Sequence, residues 1–137
     1  MHVKFNSTLR RLFSAAICLV AVGLYVASVA THYVAYRLST SLDRGYLNRA
    51  AKLEPWNAES RWKLGRYALF VAQEPSDAVS NLEAAVSLNP HLARYWLDLA
   101  AAYQVMSDFQ RQRSALERAL EADPSAPNVS WEAANFY

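Results

Sequence analysis

The sequence predicts an all-α protein: an amino-terminal transmembrane helix followed by a solenoid of helical hairpins. Three observations carry this prediction. Leu12 to Tyr36 contain no Lys, Arg, Asp or Glu. Beyond them, a set of apolar and small positions recurs at spacings of 35 and then 34 residues, each block closed by a proline. Only three glycines occur in 137 residues and alanine is abundant, which favours helices over a sandwich or barrel.

The apolar run comes first. Its 25 residues span about 37 Å as a helix, against a hydrocarbon core of about 30 Å. His32, Tyr33 and Tyr36 lie at its far end, where amphipathic rings favour the headgroup level. Lys4, Arg10 and Arg11 flank the near end and make residues 1–11 a basic arm. This excess predicts an amino terminus inside and the remainder outside the cytoplasm, on the periplasmic or extracellular side. A cleaved signal peptide also fits, with Ser28-Val29-Ala30 as a small-x-small cleavage site. Apolar letters continuing through Val34 and Ala35 favour a retained span over residues 12–37. Cys18 follows Ile17, where a lipid attachment site wants a small residue, and reads as an ordinary residue of the span.

Composition limits what the rest can do. At 53% hydrophobic and 19% charged residues, disorder is excluded. A single cysteine excludes a disulfide framework and a Cys-rich zinc module. Net charge is +2, but three bases precede residue 12, leaving eleven bases against twelve acids. The repeats therefore carry no electrostatic footprint for nucleic acid.

The repeat is read by self-comparison. Leu53-Glu54-Pro55, Leu88-Asn89-Pro90 and Ala122-Asp123-Pro124 recur in register. So do Leu47, Leu82 and Leu116, and Ala50, Ala85 and Ala119. Trp62, Leu64, Gly65 and Ala68 align with Leu97, Leu99, Ala100 and Tyr103, and again with Trp131, Ala133, Ala134 and Tyr137. The first spacing is longer by one, an extra residue we assign to the turn Gln73-Glu74-Pro75-Ser76.

Each unit reads as two helices. Ala58 to Ala72 has apolar or small residues at a 3–4 spacing. Ser76 is the expected N-cap of a second helix burying Ala78, Val79, Leu82, Ala85, Val86 and Leu88. Pro90 stops that helix, because a proline disfavours α geometry in the residue before it. Ala93 to Met106 and Phe109 to Ala122 repeat the pattern, and Pro124 ends it. Gly65 and Ala100 are small where antiparallel helices approach.

The pattern resembles the tetratricopeptide repeat over roughly residues 41–137. Leu64-Gly65, Ala78, Leu82, Ala85 and Pro90 carry the resemblance in one unit. Trp96, Leu99-Ala100, Tyr103, Leu116, Ala119 and Pro124 carry it in the next. Gln112 stands where the family usually has Ala, and Ser107 where it usually has Gly. The implied division is a partial unit at 41–55, full units at 56–90 and 91–124, and a partial unit at 125–137.

Both ends of the array are informative. Ser41 to Glu54 reads as a second helix, with Thr40 and Asp43 as a weak capping box. Its first helix would fall at about Leu24 to Arg37, so either the anchor helix supplies it or a short turn joins two independent pieces. Pro127 to Tyr137 reads as a first helix without a second. A longer array, a lone capping helix and an apolar end docked on a partner all fit.

Catalytic motifs are absent: no Gly-rich phosphate loop, nucleophile elbow or metal-spaced ligand set. His2, His32 and His91 are far apart, and His91 is expected to be solvated. Glu117 and Glu121, beside Arg113 and Arg118, read as a solvated helix face. Asn6-Ser7-Thr8 and Asn128-Val129-Ser130 match weak glycosylation sequons. We expect no enzyme activity, cofactor or metal.

What remains is recognition. In the family it resembles, first helices line a concave groove for a peptide or helix. Superposition of the units puts Glu59, Trp62, Arg66, Leu69 and Phe70 on that face. Arg94, Leu97, Asp98, Ala101 and Gln104 follow, then Asn128, Trp131, Glu132 and Asn135. Trp62 and Trp131 are candidate aromatic anchors with Arg66 and Arg94 as rim donors, although packing against the neighbouring helix fits Trp62 as well. Trp56, Tyr95 and Trp96 read as packing residues. The family's basic-and-Asn clamp for a C-terminal carboxylate is not reproduced, so a free acidic C-terminus is an unexpected ligand. The expectation is a membrane-anchored scaffold for a protein or peptide partner, with self-association possible. Alternatives are a small accessory subunit of a membrane complex or the amino-terminal part of a longer assembly protein.

Overall fold

A computed structural model describes residues 7–41 and 43–136; side chains are described from residue 11. Lys4, His2 and Asn6 of the first sequon, and Tyr137, therefore lie outside the described residues. All regular elements among the described residues are helices: α1 (Ser7–Ser39), α2 (Arg44–Leu53), α3 (Ala58–Tyr67, continued by a π-helical turn at Ala68–Ala72), α4 (Pro75–Leu88), α5 (Ala93–Val105), α6 (Phe109–Ala122) and α7 (Pro127–Phe136).

The chain divides into a unit ending at Val34 and a unit beginning at Ala35. In the first, Arg11–Ser39 is the one described helix long and apolar enough to cross a membrane, its most apolar 18-residue window having a mean hydropathy of 2.3. Its side chains are exposed from Arg11 through Val34. The last turn of α1 belongs to the second unit, where Ala35 is 1% exposed and Ser39 is buried. The helix expected at about Leu24 to Arg37 thus exists as helix, but burial starts only at Ala35.

In the second unit, successive helices pack as antiparallel hairpins, α3 on α4 and α5 on α6, with α4 on α5 joining the repeats. The residues that recur in the sequence are the ones that are buried. Ala50, Ala85 and Ala119 are fully enclosed, and Leu47, Leu82 and Leu116 nearly so. A recurring methyl at these sites lets neighbouring helices approach, and the leucines fill the space beside them. Gly65 shows how close that approach is: a Cβ built there would lie 2.7 Å from Leu82 Cγ.

Four local expectations are corrected. The extra residue of the first full unit sits in the helix, not in the turn. Gln73 and Ser107, 34 residues apart, have the same left-handed backbone with φ of 57° and 58°. The turns are therefore equivalent, and the surplus residue is absorbed upstream as the π turn over Ala68–Ala72, whose i→i+5 geometry accommodates one more residue. Second, α2 starts at Arg44, not Ser41. Asp43 is its N-cap, accepting from the Gly45 and Tyr46 amides at 2.8 and 3.2 Å. The Ser39 and Thr40 hydroxyls instead donate backward to the Tyr36 and Arg37 carbonyls. Third, Ser76 does not cap α4, because Pro75 already occupies the first turn and Glu74 holds the cap position. Fourth, Leu88 and Trp56 are exposed, since each faces outward near the turn that joins two units.

Candidate partner-binding site

The face formed by the first helices α3, α5 and α7 carries the predicted site residues. Between α3 and α5 the structure draws Glu59, Trp62, Arg66, Phe70, Arg94 and Asp98 into one network. Trp62 is at its centre. Its indole N–H donates to Asp98 Oδ2 at 2.6 Å. Arg66 and Arg94 place their guanidinium carbons 4.9 and 4.6 Å from its ring centroid. Tyr95 packs beside it with centroids 5.5 Å apart.

Two carboxylates bind this set together. Arg66 Nε lies 3.4 Å from Asp98 Oδ2. Arg94 Nη2 donates to Glu59 Oε2 at 2.6 Å, and the Tyr95 hydroxyl donates to the same oxygen at 2.9 Å. Lys63 Nζ stands 3.8 Å from the other Glu59 oxygen and donates to Ser39 Oγ. Burial pushes the Asp98 carboxyl above its ordinary value, opposed by the Trp62 N–H and by Arg66 and Arg94. Burial likewise raises the Tyr95 hydroxyl. Arg66 and Arg94 thus each meet both a carboxylate and an aromatic ring before any ligand arrives.

This arrangement corrects the reading of Trp62 as an open anchor. It is only 9% exposed and its N–H is already engaged, so it organises the face from within. Leu69 is buried in the core as well, because the π turn rotates the end of α3. Phe70, 55% exposed, takes the outward place. Arg66 covers Phe70 at 5.6 Å, and with Leu47, Tyr67 and Val71 the phenyl ring lines a cavity of about 460 Å³.

Further along, Leu97 and Ala101 are half-buried and pack against the core. Gln104 is exposed and shares a cavity of about 240 Å³ with Asn135 and Glu132. Trp131 is 66% exposed and remains an available aromatic surface; Asn128 is also exposed. Trp96 is half-buried, its N–H donating to the Pro90 carbonyl at 2.8 Å, and Tyr95 is fully buried. His91 is solvated. Arg113–Glu117 and Arg118–Glu121 pair along the outer face of α6 at 3.0 and 2.9 Å. Among the described residues no cluster of His, Cys, Asp and Glu could hold a metal.

No protein-family model matches the chain, and no curated protein matches it either. Solved structures do. The first tetratricopeptide domain of Spaghetti (RPAP3), bound to an HSP90 peptide, superposes with a TM-score of 0.62 at 18% identity, covering 68% of this chain and 73% of that one. The fold is that of a tetratricopeptide repeat. MamA superposes at 0.62 with 23% identity; the match covers 69% of this chain but only 54% of MamA. The Yersinia enterocolitica type III secretion chaperone SycD, in complex with a peptide of the translocator YopD, superposes at 0.60 with 13% identity over 98% of this chain and 91% of that one. The sequence register locates the repeats of this fold. It does not locate Tyr95 as a hydrogen-bond partner of Glu59, because a lone tyrosine near a turn carries no periodic signal.

Proposed function

We propose that this tetratricopeptide-repeat protein is a single-pass membrane scaffold that holds a protein or peptide partner on its first-helix face, outside the cytoplasm, without catalysis of its own. The observation that carries this reading is the pre-assembled network around Trp62. Arg66, Arg94, Glu59 and Asp98 are already paired with one another or with Trp62 in the free protein, which lowers the side-chain ordering a partner has to impose on this face. Exposed Phe70 on α3 and Trp131 on α7 supply apolar contact. Peptide complexes of structural neighbours, with an HSP90 peptide and with a YopD peptide, support a peptide-sized occupant. The apolar stretch Arg11–Ser39 supports anchoring, and Lys4, Arg10 and Arg11 support the orientation.

Affinity purification of the full chain from solubilised membranes tests this. Because Trp62 holds the fold, the informative substitutions are Phe70→Ala and Arg66→Ala. Loss of the partner with an unchanged helical circular-dichroism signal supports the face as the binding surface. A second reading is favoured by exposed Trp131 and by the small residues Ala15, Ala16, Ala21, Gly23, Ala27 and Ala30 along α1: an accessory subunit packed through its span. Retention in both α3 variants together with loss on replacing Gly23 and Ala27 of the span by leucine selects that reading.

A further inference from the structure

The cavity of about 460 Å³ beside Phe70 is lined by two kinds of side chain. Leu47, Tyr67, Phe70 and Val71 are apolar or aromatic, and Phe70 and Val71 are 55% and 59% exposed. Lys63 and Arg66 bring two cations, and Ser39, Thr40 and Ser41 bring hydroxyls. None of the described residues that line it is acidic.

The two cations are loosely held. Lys63 Nζ stands 3.8 Å from Glu59, and Arg66 Nε stands 3.4 Å from Asp98. Both distances exceed the about 2.7–2.9 Å of a charge-assisted hydrogen bond. Arg44, Arg94, Arg111, Arg113 and Arg118 hold their carboxylates at 2.6–3.0 Å. The carboxylates near the cavity have closer donors: Glu59 accepts from Arg94 and Tyr95, and Asp98 accepts from Trp62. Lys63, Arg66 and Arg94 thus face only Glu59 and Asp98, which leaves one positive charge in excess. The Ser41 hydroxyl accepts from the Asp43 amide and keeps its own proton to donate. The pair of cations is confined to this unit. At the same register the next unit has Asp98 and Ala101, and the last has Glu132 and Asn135.

The cavity also has a defined place along the chain. Ser39 is three residues beyond Tyr36 in the same helix, about 4.5 Å along its axis. Tyr36 ends the charge-free run, where aromatic rings sit at headgroup level. The headgroup layer is about 5–8 Å thick on each side of the hydrocarbon. With α1 across a bilayer, Ser39, Thr40 and Ser41 stand among phosphates.

We propose that this cavity binds the head of an anionic phospholipid, from the leaflet that α1 leaves at Tyr36. The proposal rests on the reading of α1 as a span and adds a ligand site to it. Lys63, Arg66 and Ser41 donate to the phosphate oxygens. Phe70 and Val71 meet the upper part of the acyl chains. A free phosphate makes no use of that apolar wall, and a choline head brings a cation to a site that already has one in excess.

The test is native mass spectrometry of the full chain, released from detergent micelles carrying dioleoylphosphatidylglycerol or dioleoylphosphatidylcholine. The two lipids differ only in the head. One phosphatidylglycerol per chain is expected to be retained in preference to phosphatidylcholine. Lys63→Gln and Arg66→Gln each weaken its retention about fivefold, the scale of one cation at an anionic surface. Arg118→Gln, on the outer face of α6, leaves it unchanged. Lys63→Gln decides alone should Arg66→Gln lose its helical circular-dichroism signal, since Lys63 does not stack on Trp62. Displacement of the lipid by millimolar inorganic phosphate overturns the lipid as the ligand. So does equal retention of the two lipids. A preference that survives both substitutions but vanishes in Arg10→Gln with Arg11→Gln belongs to the basic arm, overturns the site and leaves the cavity to the protein partner. Release of the native chain from membranes by alkaline carbonate overturns the span and the site with it. Loss of the preference in a chain that stays embedded overturns the site alone.

Discussion

Trp62 donates its indole N–H to Asp98 Oδ2 at 2.6 Å, across the junction between two repeats. The same oxygen faces Arg66, and the indole ring lies between Arg66 and Arg94. Asp98→Ala leaves the indole N–H and Arg66 without their carboxylate acceptor. The expected cost is about 1–3 kcal/mol, read as a lower midpoint in thermal unfolding of the solubilised chain. Asp98→Asn keeps an acceptor for the indole and loses less. Equal loss in both variants contradicts the assigned hydrogen bond.

Gly65 lies where α3 and α4 are closest. Alanine there gains up to about 1 kcal/mol of helix propensity. Its Cβ would nevertheless stand 2.7 Å from Leu82 Cγ, and Leu82 is fully enclosed with no room to move. Overpacking outweighs the gain, and Gly65→Ala is expected to destabilise the repeats by about 1–2 kcal/mol net. A stabilised variant contradicts the packing.

Asp43 caps α2, whereas Ser76 caps nothing. Asp43→Ala is expected to cost about 1 kcal/mol and to speed hydrogen exchange at the amino end of α2. Ser76→Ala, at an exposed site without a cap bond, stays within about 0.5 kcal/mol. Reversal of this order identifies the wrong cap.

Tyr103 titrates in a sensitive place. Burial and the Glu83 carboxylate that accepts its hydroxyl raise its pKa to about 12, against the influence of Arg111 stacked 4.8 Å above the ring. The unfolded chain releases this proton near pH ~10. The folded state keeps it longer, so its contribution is fully present below pH ~10 and is lost as pH rises toward about 12. Melting temperatures measured across that range should fall in the native protein and fall less in Tyr103→Phe. Identical slopes exclude Tyr103 as the source.

Much of this protein is legible before folding. Leu47, Leu82 and Leu116, with Ala50, Ala85 and Ala119, recur because each repeat makes the same inter-helix contact, and every one of them is buried. The charge-free run from Leu12 to Tyr36 likewise announces its own helix, because length and composition alone decide whether a segment can cross a bilayer. The fold class and the repeat period follow from such local and periodic signals.

Tertiary structure decided what periodicity does not encode. Register placed Trp62 on the face but could not show that Asp98, 36 residues away, captures its N–H; that pairing depends on how two helices are set beside each other. The extra residue before Gln73 was visible as a spacing of 35, yet its location in a π turn, with Leu69 turned inward and Phe70 outward, follows from the hydrogen-bond ladder of α3. Gln112 was visible only as a departure from alanine. Its buried, unpaired Oε1 emerges only when α6 packs against its neighbours. Sequence determined which residues repeat, because burial repeats. Structure decided which polar groups find partners, because hydrogen bonds depend on three-dimensional geometry that no single-residue pattern carries.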